Sequence, residues 1–155
     1  MRLETFEMID AVEALDLAAG TIRTRSVLPD ASPVFDGHFP HWPILPGVMM
    51  LEAMNHAAGF LVYWRHQNTR FVFLGSIKRA KFRRFVKPGT TLTTEARLTH
   101  EGSGFCILET TLTAEGDVAA DAEVVMIIAD FPNQEVAEIL NRRSKSMLAH
   151  LKTDP

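Results

Sequence analysis

Three residues around the start of the most apolar stretch of the chain could act together on a carbonyl compound. His38 carries an imidazole, the side chain most often used as a general base. It sits in a loop, Gly37 to Pro46, where Pro40, Pro43 and Pro46 recur every third residue and exclude helix. Gly47 lies nine residues on, where the prolines stop and an apolar run to Trp64 begins. A helix starting there turns unpaired N–H groups and a partial positive charge towards the loop, suited to polarising a carbonyl oxygen. A glycine lets a substrate approach that backbone closely. Glu52 stands about one turn further in. A base, an electrophilic backbone end and a buried carboxyl are what proton removal next to a carbonyl, then loss of a hydroxyl, requires. Spacing alone leaves a structural reading open beside it, in which Glu52 is a core carboxyl paired with His56 at i,i+4.

The element that must hold these groups is a helix over Gly47 to Trp64. Val48, Leu51, Met54, Ala58, Leu61 and Val62 fall at helical spacing, and Met49, Met50, Ala53, Ala57 and Phe60 fill most of the remaining surface. A helix apolar nearly all round is buried on all sides, so a carboxylate on it needs a partner or a task. Residues 44–64 approach the length of a membrane span, but Pro46, Glu52, Asn55 and His56 inside it argue for a buried core helix instead. The methionines Met49, Met50 and Met54 read as core packing rather than a dedicated site.

The rest of the chain is read as one α+β domain. At 155 residues, 46% hydrophobic and 23% charged, it can build one proper core. A net charge of −3 argues against a general nucleic-acid binder. A single cysteine, Cys106, rules out an internal disulfide and fits a reducing compartment. The opening MRLETFEMID lacks the apolar core of a signal peptide, so the cytosol is expected. Strands are expected over Phe6–Leu17, Thr21–Leu28 and Arg70–Ile77, the last continuing with a bulge through Lys78–Val86 to the turn Lys87-Pro88-Gly89. Three more follow at Thr91–Thr99, Gly104–Thr113 and Val118–Asp130, joined as a meander through His100-Glu101-Gly102 and Ala114-Glu115-Gly116-Asp117. Residues 133–155 form an amphipathic helix and tail, with Val136, Ile139, Leu140, Met147, Leu148 and Leu151 on one face, appended to a domain over 1–132.

His38-Phe39-Pro40, Pro43-Ile44-Leu45-Pro46-Gly47-Val48 and Leu51-Glu52-Ala53-Met54 resemble the signature of β-hydroxyacyl-acyl-carrier-protein dehydratases of the FabZ type. Phe73-Leu74-Gly75-Ser76-Ile77, Ala80-Lys81-Phe82-Arg83-Arg84 and Val86 with Pro88-Gly89 resemble it in the same order. The opening segment and Gly102-Ser103-Gly104-Phe105 look closer to the branch linked to very-long-chain acyl groups of lipid A. The resemblance implies a hotdog fold, a curved antiparallel sheet wrapped around a long central helix. It implies a homodimer joined through edge strands, alone or as a trimer of dimers, with His38 of one subunit facing Glu52 of the other. By the same likeness His38 takes the C2 proton of a (3R)-3-hydroxyacyl thioester. Glu52 hydrogen-bonds and helps protonate the departing hydroxyl, and the Gly47 N–H binds the thioester oxygen. Phe39, Val48 and His56 join Gly47 in binding substrate, and the product is the trans-2-enoyl thioester. No metal or organic cofactor is implied.

This sequence departs from the family pattern in places. His41 stands where glycine is usual, His56 replaces a glutamine, Phe85 replaces a proline, and the N-terminal Arg-Tyr-Pro-Phe segment is absent. These bear on tunnel shape and pH response rather than on His38 and Glu52. Lys78, Arg79, Lys81, Arg83, Arg84 and Lys87 put six cations within ten residues of an acidic chain, read either as a solvated edge that discourages aggregation or as the docking surface for an acidic acyl carrier protein. His38, His41, Glu52 and His56 as a metal set are disfavoured, because His41 in a rigid loop need not point with His38. Other readings are a hotdog thioesterase, a dehydratase that also isomerises the double bond, and a non-catalytic acyl-carrier or acyl-chain binding subunit.

Overall fold

Pro46, with φ −55° and ψ 136°, is extended, and the chain turns helical at the next residue. The computed structural model describes residues 1–149 and 151. In chain order it holds strands β1 (Ala11–Asp16) and β2 (Thr21–Val27), then helices α1 (Pro33–Gly37) and α2 (Gly47–Arg65). There follow β3 (Phe71–Phe82), β4 (Thr91–Gly102), β5 (Phe105–Ala114), β6 (Asp117–Ala129) and helix α3 (Gln134–Leu148). The strands form one antiparallel sheet in the order β1-β2-β4-β5-β6-β3, which curls around α2.

The helix is buried as its composition requires: Ala53, Met54, Ala57, Ala58, Leu61 and Val62 are at most 1% exposed. Alanines on that face let the sheet come close, and strand side chains with period two fill the gap. Thus Ala120, Ala122, Val124, Met126 and Ile128 of β6 point inward. The expectation that the helix is buried on every side fails at its first turn. Val48 is 69% exposed, because the sheet does not cover that side of the N-terminus.

Several boundaries differ from the sequence reading. The first strand is only Ala11–Asp16, and before it lies a short 3-10 turn, Leu3–Thr5. Helix α1 was not foreseen. Ser32 caps it by accepting a hydrogen bond from the Val34 N–H, and Pro33 suits its first position. Strand β4 runs through His100 and Glu101, so the turn to β5 falls at Ser103-Gly104, where Gly104 has φ 82°.

Nor is the sheet a simple meander after α2. β3 pairs with β6 at the far edge, while β4 crosses to pair with β2. The connection between them is held by Leu45 N–H to Val86 C=O (2.7 Å) and Leu28 N–H to Thr90 C=O (3.0 Å), which also pins the proline loop. Strand β3 has two register shifts, an unforeseen one between Leu74 and Ser76 and one between Ile77 and Arg79, at the start of the stretch where a bulge was expected. Gly75 fills the first of them because a Cβ there would meet Ile127 Cγ1 at 2.5 Å.

Helix α3 packs back on its own chain. Tyr63 Oη donates to Asn141 Oδ1 (3.1 Å), and the Trp64 indole N–H donates to the fully buried Ser144 Oγ (2.5 Å). Leu140, Met147, Leu148 and Leu151 rest on the core, whereas Ile139, expected on the same face, is 51% exposed. The polar anchors rotate the helix so that Asn141 and Ser144 face inward and Ile139 faces out. The tail at 150 and 152–155 lies outside the described residues.

Candidate active site

His38 is the residue that closes α1, so a five-residue helix capped by Ser32 sets where its ring stands. The ring is half-buried and meets Phe39 edge to face, centroids 4.7 Å apart. Phe39 (φ 52°) and His41 (φ 69°) both take the left-handed conformation. That explains the glycine expected at 41: the backbone keeps the glycine-favoured shape, and histidine holds it at a cost on the order of 1 kcal/mol. Trp42 packs edge to face between Phe39 and Phe85, at 6.0 and 4.9 Å.

His38, Phe39, Gly47, Met50 and Phe82 line a cavity of about 320 Å³ at the start of α2. Among the described residues, no carbonyl or side chain takes the N–H of Gly47 or Val48, as expected for the first turn of a helix. A Cβ on Gly47 would lie 3.2 Å from the Phe82 ring. This is a close approach only glycine allows without displacing that ring. His38, Phe39 and Gly47, singled out in the sequence, thus line one cavity, and Val48 projects outward beside them.

Glu52 is elsewhere. Its Oε1 lies 3.0 Å from His56 Nε2, and its Oε2 accepts from Asn55 Nδ2 at 3.1 Å. The hydrogen bond from His56 holds the carboxyl below the usual glutamate range, outweighing the opposing effect of burial; the charges on His56 and Arg143 and the Asn55 bond act in the same direction. A carboxyl that titrates lower folded than unfolded adds stability above its unfolded value, and this is lost as pH falls through the folded one. Asn55 Oδ1 and His56 Nδ1 are buried without a partner among the described residues. Asn55 and His56 open onto a second cavity of about 210 Å³, which His38 does not line. Within one chain, no hydrogen bond or ion pair joins His38 to Glu52 among the described residues. Asn55 was legible as the polar neighbour at i+3 of Glu52. Arg143, 91 positions away on α3, had no signal.

The six cations are largely engaged by their own sheet. Lys78 pairs with Glu123 (3.3 Å), Arg79 and Arg83 with Asp121 (3.9 and 2.5 Å), and Arg84 with Asp117. Among the described residues Lys81 and Lys87 make no such pair. His38, His41, Glu52 and His56 do not come within ligating distance of one another as a set. A different trio, His66, Glu101 and Cys106, does gather its donor atoms within 4.8 Å. It does not suit a metal: Glu101 is held by Arg65 at 2.9 Å, and burial pushes the Cys106 thiol up to about 11, away from the thiolate a metal needs. No described helix is long and apolar enough to cross a membrane.

One long helix inside a curled six-stranded antiparallel sheet is the hotdog fold. Solved structures share it. A thioesterase-like phenylacetic acid degradation-related protein of Ralstonia eutropha matches with a TM-score of 0.62 at 22% identity, over 76% of this chain and 83% of that one. The PaaI protein of E. coli matches with a TM-score of 0.62 at 15% identity, over 77% and 78%. Residues 2–123 match the model of the FabA-like domain, and the chain belongs to that family. Relatives include the 3-hydroxyacyl-[acyl-carrier-protein] dehydratase FabZ of Rickettsia akari and that of Rickettsia felis, each 36% identical over 127 residues, 81% of this chain and 87% of theirs.

Proposed function

We propose that this protein removes water from a (3R)-3-hydroxyacyl group carried as a thioester on acyl carrier protein, giving the trans-2-enoyl thioester. The observation that carries this reading is the convergence of His38 and the free N–H of Gly47 on one cavity, in a chain of the FabA-like family. The thioester carbonyl accepts from the Gly47 N–H, which stabilises the negative charge that develops as C2 loses its proton. The His38 imidazole takes that proton. The C3–O bond breaks, the electron pair from C2–H becomes the C2–C3 double bond, and the oxygen leaves as water after gaining a proton. Glu52 hydrogen-bonds the hydroxyl and supplies that proton after taking one up from solvent, in the fraction of molecules that its lowered carboxyl leaves protonated.

Because His38 and Glu52 flank different cavities in one chain, the complete site is assigned to a homodimer in which each chain supplies one of them. Strand β3 supports this. It is a sheet edge twelve residues long, and its Phe73, Ile77 and Phe82 are exposed, as is the nearby Val48. Lys81 and Lys87, without an ion pair among the described residues and one or two positions from the cavity-lining Phe82 and Phe85, are the cations left to meet an acidic carrier.

The test is water loss from 3-hydroxyacyl-carrier substrates of several lengths, followed by mass, with trans-2 and cis-3 products separated. Carrier binding without turnover at any length would leave a binding subunit. A Gly47→Val chain should keep its far-UV circular dichroism yet lose about 10²-fold or more in kcat/KM, because the added methyls push the carbonyl off the N–H. Full activity in that variant would remove Gly47 from the site. His56→Gln should shift to higher pH the limb of the pH–rate curve that Glu52 sets. It removes the hydrogen bond that chiefly lowers the Glu52 carboxyl, and a higher carboxyl pKa keeps the proton donor loaded further up the scale. A superimposable curve would take His56 out of the chemistry.

A further inference from the structure

The face of α2 that begins at Glu52 continues as Asn55, His56, Gly59, Phe60 and Tyr63, at i+3, i+4, i+7, i+8 and i+11. At 1.5 Å per residue, that stripe runs about 16 Å from the carboxyl to the tyrosine. From Asn55 onward it forms one wall of the 210 Å³ cavity, whose other walls are the edge strand β3, Met126 of β6, and Leu140 with Arg143 of α3. The polar end is the one beside Glu52, and beyond Gly59 the lining is dominated by apolar side chains. Gly59 leaves the space open in the middle of the stripe: a Cβ there would touch only Met126 Cε, at 3.5 Å.

Helix α3 closes this space and is fixed in place. Besides the Tyr63–Asn141 and Trp64–Ser144 hydrogen bonds, Arg143 donates to the Phe6 carbonyl (3.1 Å), with its guanidinium carbon 5.9 Å from the Phe60 ring centre. The match to the FabA-like domain ends at residue 123, so this wall lies outside the matched domain.

We propose that the cavity receives the distal end of the acyl chain and that α3, through Leu140 and Arg143, is the stop that limits the chain length accepted. The proposal rests on the dehydratase reading for its substrate. An apolar slot that starts at the groups holding Glu52 and runs along one helix face suits an unbranched alkyl chain whose reacting end lies at the carboxyl. The anchors make the stop rigid, so its position depends on side-chain size at Leu140 and Gly59.

Two single substitutions should move the limit in opposite directions. Leu140→Ala lengthens the slot, and Gly59→Ala, which its surroundings accommodate and which favours the helix, narrows it. The reading is the ratio of kcat/KM for long and short saturated 3-hydroxyacyl-carrier substrates. Gly59→Ala should lower that ratio about tenfold or more at the longest accepted chain, the usual effect of one methyl in an apolar pocket. Leu140→Ala should raise it for chains one two-carbon step beyond the parental limit. General damage would lower both rates together and leave the ratio where it was.

A second measurement does not depend on turnover. Trp64 stacks on the cavity-lining Phe60, centroids 5.1 Å apart. In a Trp42→Phe background, free saturated fatty acids of increasing length should change Trp64 emission up to the same cut-off, displaced by the same two substitutions. Water loss with a length profile identical in all three chains would overturn the α3 stop and leave the dehydratase standing. No water loss from any carrier substrate, with a fatty-acid cut-off that still moves, would overturn the dehydratase reading and keep the slot.

Discussion

Replacing His38 by alanine is expected to lower kcat/KM for dehydration by about 10²–10⁴-fold, the contribution of a positioned general base. Two features argue that the loss falls on chemistry rather than folding. His38 is half-buried at the end of a five-residue helix whose cap and core contacts come from Ser32 and Phe35, and none of these passes through the imidazole. Among the described residues its one aromatic contact is with Phe39, itself 54% exposed. The thermal midpoint should therefore stay close to the parental one while turnover collapses. Exchange of the C2 proton into deuterated water, measured without net water loss, should fall in parallel, because that step needs the base alone. A variant retaining more than a tenth of parental turnover would remove His38 from that role.

Mixing two inactive chains should restore activity. A His38→Ala chain keeps Glu52, and a Glu52→Ala chain keeps His38. If each site draws its histidine from one subunit and its carboxyl from the other, a mixed dimer has one intact site and one lacking both groups. Random pairing makes half of all dimers mixed, so a co-expressed population should show about one quarter of the parental rate. Two tags, one on each chain, allow the mixed species to be isolated, and it should reach about half. Sites built within single chains would each lack one group, and mixing would restore nothing. Their separation in one chain, His38 on the 320 Å³ cavity and Glu52 held by residues of the 210 Å³ one, is the reason to expect restoration.

Much of the fold was readable because the strongest signals were local. Three prolines at every third residue, then a long apolar run, place the start of α2 at Gly47, where it is found. Turn residues likewise located most strand ends. What could not be read was non-local. That β3 pairs with β6 depends on where the chain crosses after Lys87, and no residue pattern encodes that crossing. Helix α1 has five residues, too few for periodicity to show. The exposed Ile139 reflects two hydrogen bonds that turn α3, each linking residues about 80 positions apart (78 and 80). At the candidate site, type and order singled out His38 and Gly47, which line one cavity, and Glu52, which lies apart from them in the chain. The ion pairs of Lys78, Arg79, Arg83 and Arg84 were not, since their acidic partners sit on or beside β6 and only strand pairing brings them across.

Helix α2 is an unbroken nineteen-residue rod, with its first residue at one cavity and its second turn beside another. In the dimer proposed above, each rod would serve two centres at once, giving an amide to one and a carboxyl to the other. A rod transmits displacement with little loss, so in that dimer a ligand that nudged Gly47 in one centre would also shift Glu52 in its neighbour. Two reaction centres that share their moving parts are not independent machines. In such a dimer their occupancy would be coupled through the stiffness of a single piece of secondary structure, without any hinge.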